Sequence, residues 1–168
     1  MSARAAPATH HVLILGDVPA RTLAIVEAVA ARHHARALDS GMYRPKEGRV
    51  ALRAGAPLEA LSRARWISRV AQEVLRVGLI GRKPVICGFE TLTRAERDVL
   101  RGLLPGVSII RLAYAPETRA AQPKDMQAAA HPEDVLDCDP AQSEAAILDQ
   151  ISAYLAGEAG RAPVNPPA

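Results

Sequence analysis

The first strong pattern in the chain is an unbroken apolar run followed by a helical one. Residues 11–15 read His-Val-Leu-Ile-Leu, a continuous run typical of a strand that is buried on both faces of a sheet. Gly16 ends this run. From Thr22 to Ala31 the apolar residues recur at the spacing of one helix face. The pattern predicts a buried strand, a tight loop and an apolar helix.

The alternation of strand and helix continues along the chain. Thr93, followed by Glu96 at the third position, forms a capping-box pattern, and Ser143 is a typical N-cap. Further strands are predicted at residues 36–39, 84–88, 107–112 and 134–137, and further helices at 57–75, 93–104 and 143–155. Gly78 and Gly81 are predicted to end the helix at 57–75. Alternating strands and helices predict an α/β fold, a three-layer α/β/α sandwich with a five-stranded parallel sheet.

One globular domain is expected at residues 10–156, because a chain of 168 residues that is 49% hydrophobic has the size and core of a single unit. Residues 1–9 are expected to form a flexible tail and residues 157–168, rich in Pro and Gly, a disordered one. Only 3% of the residues are aromatic. Trp66 is therefore an isolated large group in an aliphatic core, and we expect it to be buried.

Charge and cysteine content narrow the function classes. The net charge of +3 arises from scattered basic and acidic residues without a basic stripe, and aromatic stacking platforms are lacking, so no nucleic-acid partner is expected. No apolar run is long enough to cross a bilayer, so no membrane partner is expected. Cys87 and Cys138 lie too far apart for a metal-binding motif. We therefore expect reduced thiols, no metal site and a cytoplasmic location.

The loop after the first strand has the position of a phosphate-binding loop but lacks most of the residues that bind phosphate and Mg²⁺. Such a loop reads G-x-x-x-x-G-K-[ST], in which backbone N–H groups hold the phosphates, the lysine reaches the outer phosphates and the hydroxyl binds Mg²⁺. Residues 16–23 read Gly-Asp-Val-Pro-Ala-Arg-Thr-Leu. In this frame Arg21, Thr22 and Leu23 replace the second glycine, the lysine and the hydroxyl residue. Pro19 also removes an N–H donor.

With its elements in this order, the chain resembles the gluconokinase family, P-loop sugar-acid kinases built like shikimate kinase. The resemblance spans about residues 11–156 and rests on local matches that occur in the family's order. Residues 37–45 match the family's F-L-D-G-D-x-x-H-P, and residues 54–58 together with Arg63 and Trp66 match S-G-x-P-L-x-D-x-D-R-x-P-W-L. Residues 85–87 match V-x-C-S-A-L-K, residues 97–101 match Y-R-D-x-L-R, and residues 107–112 match the strand that follows. This resemblance implies a P-loop kinase fold.

The chain departs from the family at positions to which the resemblance assigns chemistry. The second Asp of L-D-G-D, the expected general base, is Gly41 in this chain. The lysine of S-A-L-K is Thr91, and the preceding Glu90 places an anion beside the presumed phosphate path. The family's basic lid is shortened to about residues 115–133. We therefore interpret the chain as a degenerate member of the family.

The resemblance and the topology together nominate site residues. The carboxyl ends of the strands are the expected place for a ligand in an open parallel sheet. The nominated residues are Arg21, Thr22 and Arg63 as catalytic candidates, Gly16, Asp17, Ala20, Arg21 and Thr22 for a cofactor, and Asp39, Arg63, Cys87 and Gly88 for a substrate. Arg63 can hold an acid or be a solvated helix residue, and Asp39 can bind a ligand or cap a loop.

Three functions remain open from the sequence. The first hypothesis is a protein that does not transfer phosphate and acts as a binding or regulatory protein, with a small sugar acid or a phosphate as ligand. The second is an active carbohydrate kinase that transfers the γ-phosphate of ATP to gluconate or a similar acid. It would use Mg²⁺ and a loop one residue shorter, in which Arg21 and Thr22 replace lysine and serine. The third is a structural role, as a homodimer or as the partner of an active paralogue.

Overall fold

The computed structural model describes residues 10–46, 60–112, 135–139 and 141–159. The elements in chain order are β1 (Val12–Leu15), α1 (Pro19–Arg32), β2 (Arg36–Asp39), a 3₁₀ turn (Ser40–Tyr43), α2 (Ala60–Gly81), β3 (Val85–Phe89), α3 (Arg94–Leu103), β4 (Ser108–Leu112), β5 (Val135–Cys138) and α4 (Glu144–Ala159). The predicted N-terminal tail, the segment 54–58 and the shortened lid at 115–133 lie outside the described residues.

The five strands form one parallel sheet in the order β2-β3-β1-β4-β5. The central strand β1 pairs with β3 on one side and β4 on the other, so that Leu13 lies opposite both Cys87 and Ile109. All four residues of β1 are buried, as its continuous apolar sequence predicts. The parallel five-stranded sheet of the sequence prediction is thereby confirmed.

Helices cover both faces of the sheet. Successive strand residues point to opposite faces, so Leu13 and Leu15 join the core under α2 and α3, whereas Val12 and Ile14 join the core under α1 and α4. Cys87 belongs to the first of these cores. The two separate apolar clusters confirm the three-layer α/β/α arrangement.

The helix α2 passes over the first residue of the strand run. His11 is buried, and its Nδ1 accepts a hydrogen bond from the Val85 N–H at 3.1 Å. A Cβ at Gly78 would overlap the His11 ring, so the helix can pass this close only with a glycine at that position. Of the two glycines predicted to end this helix, Gly81 is its last residue, whereas Gly78 lies inside the helix.

The predicted caps are present at the helices that follow. The Thr93 hydroxyl and the Glu96 carboxylate form the capping box of α3, and the Ser143 hydroxyl accepts a hydrogen bond from the Ala146 N–H at 3.2 Å. The helix α4 extends to Ala159, past the boundary at residue 157 where the sequence predicts a tail. None of the helices in the described ranges combines the length and the apolarity needed to cross a bilayer.

Trp66 is the largest fully buried side chain of the layer under α2. Its ring is tilted against Phe89 with the two centroids 5.4 Å apart. Its indole N–H donates to the Ser40 carbonyl at 2.8 Å, which ties the turn after β2 to the core. The predicted burial of Trp66 is confirmed.

Replacing Trp66 with alanine is expected to lower the free energy of unfolding by about 3–5 kcal/mol, because it leaves a large cavity. Urea unfolding measures this loss. Leu79→Ala on the same helix is a control, because Leu79 is 80% exposed. That control is expected to change stability by less than about 0.5 kcal/mol. A loss below about 1 kcal/mol for Trp66→Ala would contradict the assigned burial.

Candidate functional site

A pocket of about 370 Å³ lies at the carboxyl ends of β1, β2 and β3. The start of α1 forms one wall, the turn after β2 a second, and the end of β3 the third. The walls are mostly apolar, with Pro19, Leu23 and Phe89 among the lining residues. In open parallel sheets ligands bind outside the carboxyl ends of the strands, and this pocket lies at that edge.

The structure brings some of the nominated residues together and leaves others apart. Those that line the pocket are Gly16, Asp17, Ala20, Thr22, Asp39 and Gly88. Arg21, Arg63 and Cys87 are not among the lining residues. The location expected at the carboxyl ends of the strands therefore contains a pocket, while the nominated cations lie outside its walls.

The link between β1 and α1 is only three residues long, Gly16 to Val18. The helix begins at Pro19, earlier than its apolar pattern suggests, and its N-cap Val18 provides no side-chain hydrogen bond. The Gly16 N–H donates to the Phe89 carbonyl at 3.0 Å. A Cβ at Gly16 would overlap the Thr22 hydroxyl. Glycine is thus required here for the close approach of the first helical turn to the end of the strand.

Thr22 and Arg21 both make contacts within the protein. Thr22 is buried, and its hydroxyl donates to the Val18 carbonyl at 3.0 Å. The Thr22 backbone N–H donates to the same carbonyl at 2.9 Å. The Arg21 guanidinium donates to the Gln142 carbonyl at 3.0 Å, just before α4. The two residues nominated in place of lysine and serine are therefore held by protein carbonyls.

Two arginines and two glutamates form a connected network beside the pocket. Arg44 forms an ion pair with Glu90, and the Arg63 Nη1 donates to the other Glu90 oxygen at 2.7 Å. Arg63 also donates through Nε and Nη2 to the two Glu96 oxygens at 2.6 and 3.0 Å. Each arginine lies close to the Trp66 ring, with its central carbon 4.6 Å from the ring centroid for Arg44 and 5.7 Å for Arg63.

The charges of this network are mutually stabilised. The hydrogen bond to Glu96 raises the pKa of Arg63 above its ordinary value, although burial acts in the opposite direction. Burial alone would raise the pKa of Glu96, but the hydrogen bonds from Arg63 and from the Thr93 N–H outweigh it and hold that pKa below its ordinary value. Arg63 is thus an ion-paired residue, an arrangement that neither of its two sequence interpretations includes.

Arg44 and Glu90 line the pocket but are not among the nominated site residues, although the family resemblance places Glu90 beside the presumed phosphate path. The feature of the sequence that points to both residues is their position, since Arg44 follows β2 and Glu90 directly follows β3. The strands β2 and β3 are neighbours in the sheet, with Asp39 opposite Gly88. Opposite charges that follow adjacent parallel strands are brought to the same edge, and this juxtaposition could have been recognised once the strand order was known.

Asp39 and Cys87, two residues nominated for substrate binding, each have a structural role. The Asp39 carboxylate accepts a hydrogen bond from the Gly41 N–H at 2.8 Å and so caps the turn, while Asp39 also lines the pocket. Cys87 has no exposed surface, and burial raises the pKa of its thiol well above the usual range. Its side chain is therefore held as a neutral thiol inside the core. Among the described residues, no group of three or more His, Cys, Asp or Glu side chains is arranged to hold a metal ion.

The fold is similar to that of several solved kinases. A gluconokinase from Sinorhizobium meliloti has a TM-score of 0.73 at 20% identity, with 89% of this chain and 93% of that chain covered. A sugar kinase from a Janibacter species has a TM-score of 0.76 at 20% identity over 88% of this chain and 95% of that one. A shikimate kinase from Aquifex aeolicus has a TM-score of 0.55 at 9% identity over 89% and 98%.

The likeness establishes the class of fold. The chain has the P-loop kinase fold, a five-stranded parallel sheet between helices, as the sequence resemblance to gluconokinases implies. No family model and no curated protein matches the chain. At these low identities the similarity carries the fold and leaves activity to be argued from the site.

Replacing Glu96 with glutamine tests the ion pair between Arg63 and Glu96, because its contribution to the free energy of unfolding should depend on pH. Because the folded-state pKa of Glu96 lies below its ordinary value of 4.5, its charge stabilises the fold above that pH. The contribution is lost as the pH falls through the lowered pKa. The destabilisation caused by Glu96→Gln is thus expected to be largest near neutral pH and to shrink on acidification below pH 4.5. Urea unfolding over a pH series measures it.

Glu144→Gln at the exposed start of α4 is the matched control for this series. It removes a carboxylate from a first helical turn without touching the Arg63 network. A penalty for Glu96→Gln that stays constant from neutral to acidic pH would show that the loss comes from packing and not from the ion pair.

Proposed function

We propose that this protein is a gluconokinase-like member of the P-loop kinase fold that binds a small molecule at the carboxyl-end pocket without transferring phosphate. In this proposal it acts as a binding or regulatory protein. The observation that carries the proposal is the three-residue link between β1 and α1. A phosphate-binding loop needs several backbone N–H groups directed at the phosphates, and a link of three residues, in which the Gly16 N–H is already bonded to Phe89, is too short to wrap a triphosphate.

The hydrogen-bond donors around the β1–α1 link do not fit a nucleoside triphosphate with Mg²⁺. Pro19 has no N–H, and the Gly16 N–H is bonded to the Phe89 carbonyl. The Thr22 hydroxyl, the group that would bind Mg²⁺ in the shorter-loop alignment, donates to a carbonyl one turn back. Asp17 adds a carboxylate to the same wall of the pocket. The repulsion between this carboxylate and a phosphate adds to the lack of donors.

The rate contributions of the groups that this chain lacks support the proposal that it does not transfer phosphate. Phosphoryl transfer depends on positioning and on neutralising the charge of the transferred group, and one arginine in that role is worth about 10³–10⁵ in rate. A positioned general base adds roughly 10²–10⁴. The position that the resemblance assigns to the base is Gly41, whose N–H is occupied by Asp39, and the lysine of S-A-L-K is Thr91. The combined losses leave turnover near background.

The pocket itself supports a binding role. Its volume of about 370 Å³ lies in the range of small-molecule sites, and its mostly apolar walls have a few polar groups at the rim. The buried Trp66 and the ion-paired network hold the turn after β2 in place beside it. A pocket that is built on buried elements is preorganised for a ligand, which lowers the cost of binding.

An active kinase is the second candidate. The likeness to a gluconokinase and to a sugar kinase over most of the chain favours it. It would require Arg21 to release the Gln142 carbonyl and Thr22 to release the Val18 carbonyl before either could reach a phosphate or Mg²⁺. The non-transferring proposal needs no such rearrangement.

The purified protein is expected to show no gluconate-dependent release of ADP from ATP, because the loop donors and the base are missing. A coupled ADP assay measures this. Replacing residues 16–23 with G-V-S-G-S-G-K-S is expected to leave the protein inactive, since the loop is only one of the lost parts. Gluconate-dependent turnover by the native chain that Arg21→Ala abolishes would overturn the proposal and establish the kinase. Turnover that Arg21→Ala leaves intact would also overturn the proposal, unless a mock purification without the protein shows the same turnover and so identifies a contaminating enzyme.

A further inference from the structure

Arg44 and Arg63 together resemble a receptor for a carboxylate. The Arg44 guanidinium lines the pocket and the Arg63 guanidinium lies beyond its walls, and both lie close to one indole ring and have several N–H donors in fixed directions. Such a pair binds carboxylates and phosphates through charge-assisted hydrogen bonds. Arg44 is only 7% exposed, so it has lost most of its hydration and requires a partner.

The partner of both arginines is the protein's own Glu90. One Glu90 oxygen pairs with Arg44, and the other accepts from Arg63 at 2.7 Å. The Glu90 carboxylate thus bridges the two guanidinium groups as the carboxylate of a bound acid would. Glu90 lines the pocket, whereas Arg63, to which it is bonded, does not. An acid that entered the pocket would have to displace a carboxylate fixed to the same chain.

The charge of the pocket walls also opposes an acid. Among the described lining residues, the carboxylates are those of Asp17, Asp39 and Glu90, and Arg44 is the one guanidinium. Since Arg44 is neutralised by Glu90, the lining carries an excess of negative charge. The rest of the lining is mostly apolar. Both features favour a ligand without negative charge.

We propose that Glu90 determines the specificity of this pocket by acting as an internal carboxylate ligand of Arg44 and Arg63. It excludes organic acids and phosphates, and the pocket takes an uncharged or cationic small molecule with an apolar body. This inference rests on the proposed function, because it names the ligand class of the same pocket. It disfavours the sugar acid or phosphate that the family resemblance suggests.

The test removes the internal carboxylate and supplies a free one. In Glu90→Ala, acetate is expected to enter the vacated space and to bind at least about tenfold more tightly than it binds the native protein, because it restores charge-assisted hydrogen bonds to both arginines. The indole N–H resonance of Trp66, the only tryptophan in the chain, reports the binding, since both guanidinium groups lie near its ring. Acetate should also raise the Tm of the variant but not of the native protein.

The controls separate a specific site from general effects. Acetamide has the shape of acetate without its charge and is expected to give no shift, and sodium chloride at equal ionic strength accounts for screening. Glu73→Ala removes a carboxylate that pairs with Arg76 on the surface and should gain no acetate binding. Adding Arg44→Gln to Glu90→Ala should abolish the gain in acetate affinity, because position 44 then has no guanidinium group.

Equal acetate binding by Glu90→Ala and the native protein would overturn the inference. Should Glu90→Ala fail to fold, Glu90→Gln keeps the side-chain volume and removes the charge. Gluconate is then expected to bind Glu90→Gln at least about tenfold more tightly than the native protein, and equal binding would again overturn the inference. These titrations contain no nucleotide, so their outcome is independent of whether the native chain transfers phosphate.

Discussion

The close contact between Thr22 and Gly16 determines how α1 leaves the central strand. Because the glycine has no side chain, the first helical turn packs directly on the end of β1, and only three residues connect the two elements. In this packing the Thr22 hydroxyl and the Thr22 N–H both donate to the Val18 carbonyl, and the Gly16 N–H donates to the Phe89 carbonyl. The fold keeps its P-loop kinase arrangement, and this short connection is the basis of our proposal that the loop does not hold a triphosphate.

Buried charge imposes the second constraint. Arg44 and Arg63 lie against the buried Trp66, and charges in such a position are costly unless they are paired. Glu90 and Glu96 provide the pairing from within the chain. These two cations beside the pocket are consequently part of its structure, which supports the proposal that the pocket does not take an anion.

The sequence predicted the fold well, because a strand buried on both faces has an almost continuous apolar sequence, as residues 11–15 and 85–87 do. The start of α1 was placed too late, since the apolar pattern begins at Thr22 whereas Pro19 is the first helical residue. The pairing of Arg44 with Glu90 depends on β2 and β3 being neighbours. Hydrophobic periodicity contains no information about strand order, so the pairing of Arg44 with Glu90 could not be predicted from the sequence.

A calorimetric titration of the native protein with Mg-ATP tests the central claim most directly. We expect no saturable heat of binding up to millimolar nucleotide, because in our proposal the β1–α1 link offers a triphosphate too few N–H donors. Saturable binding of one nucleotide per chain that depends on Mg²⁺ and is weakened by Arg21→Ala would contradict it. That result would mean that Arg21 leaves the Gln142 carbonyl to bind phosphate.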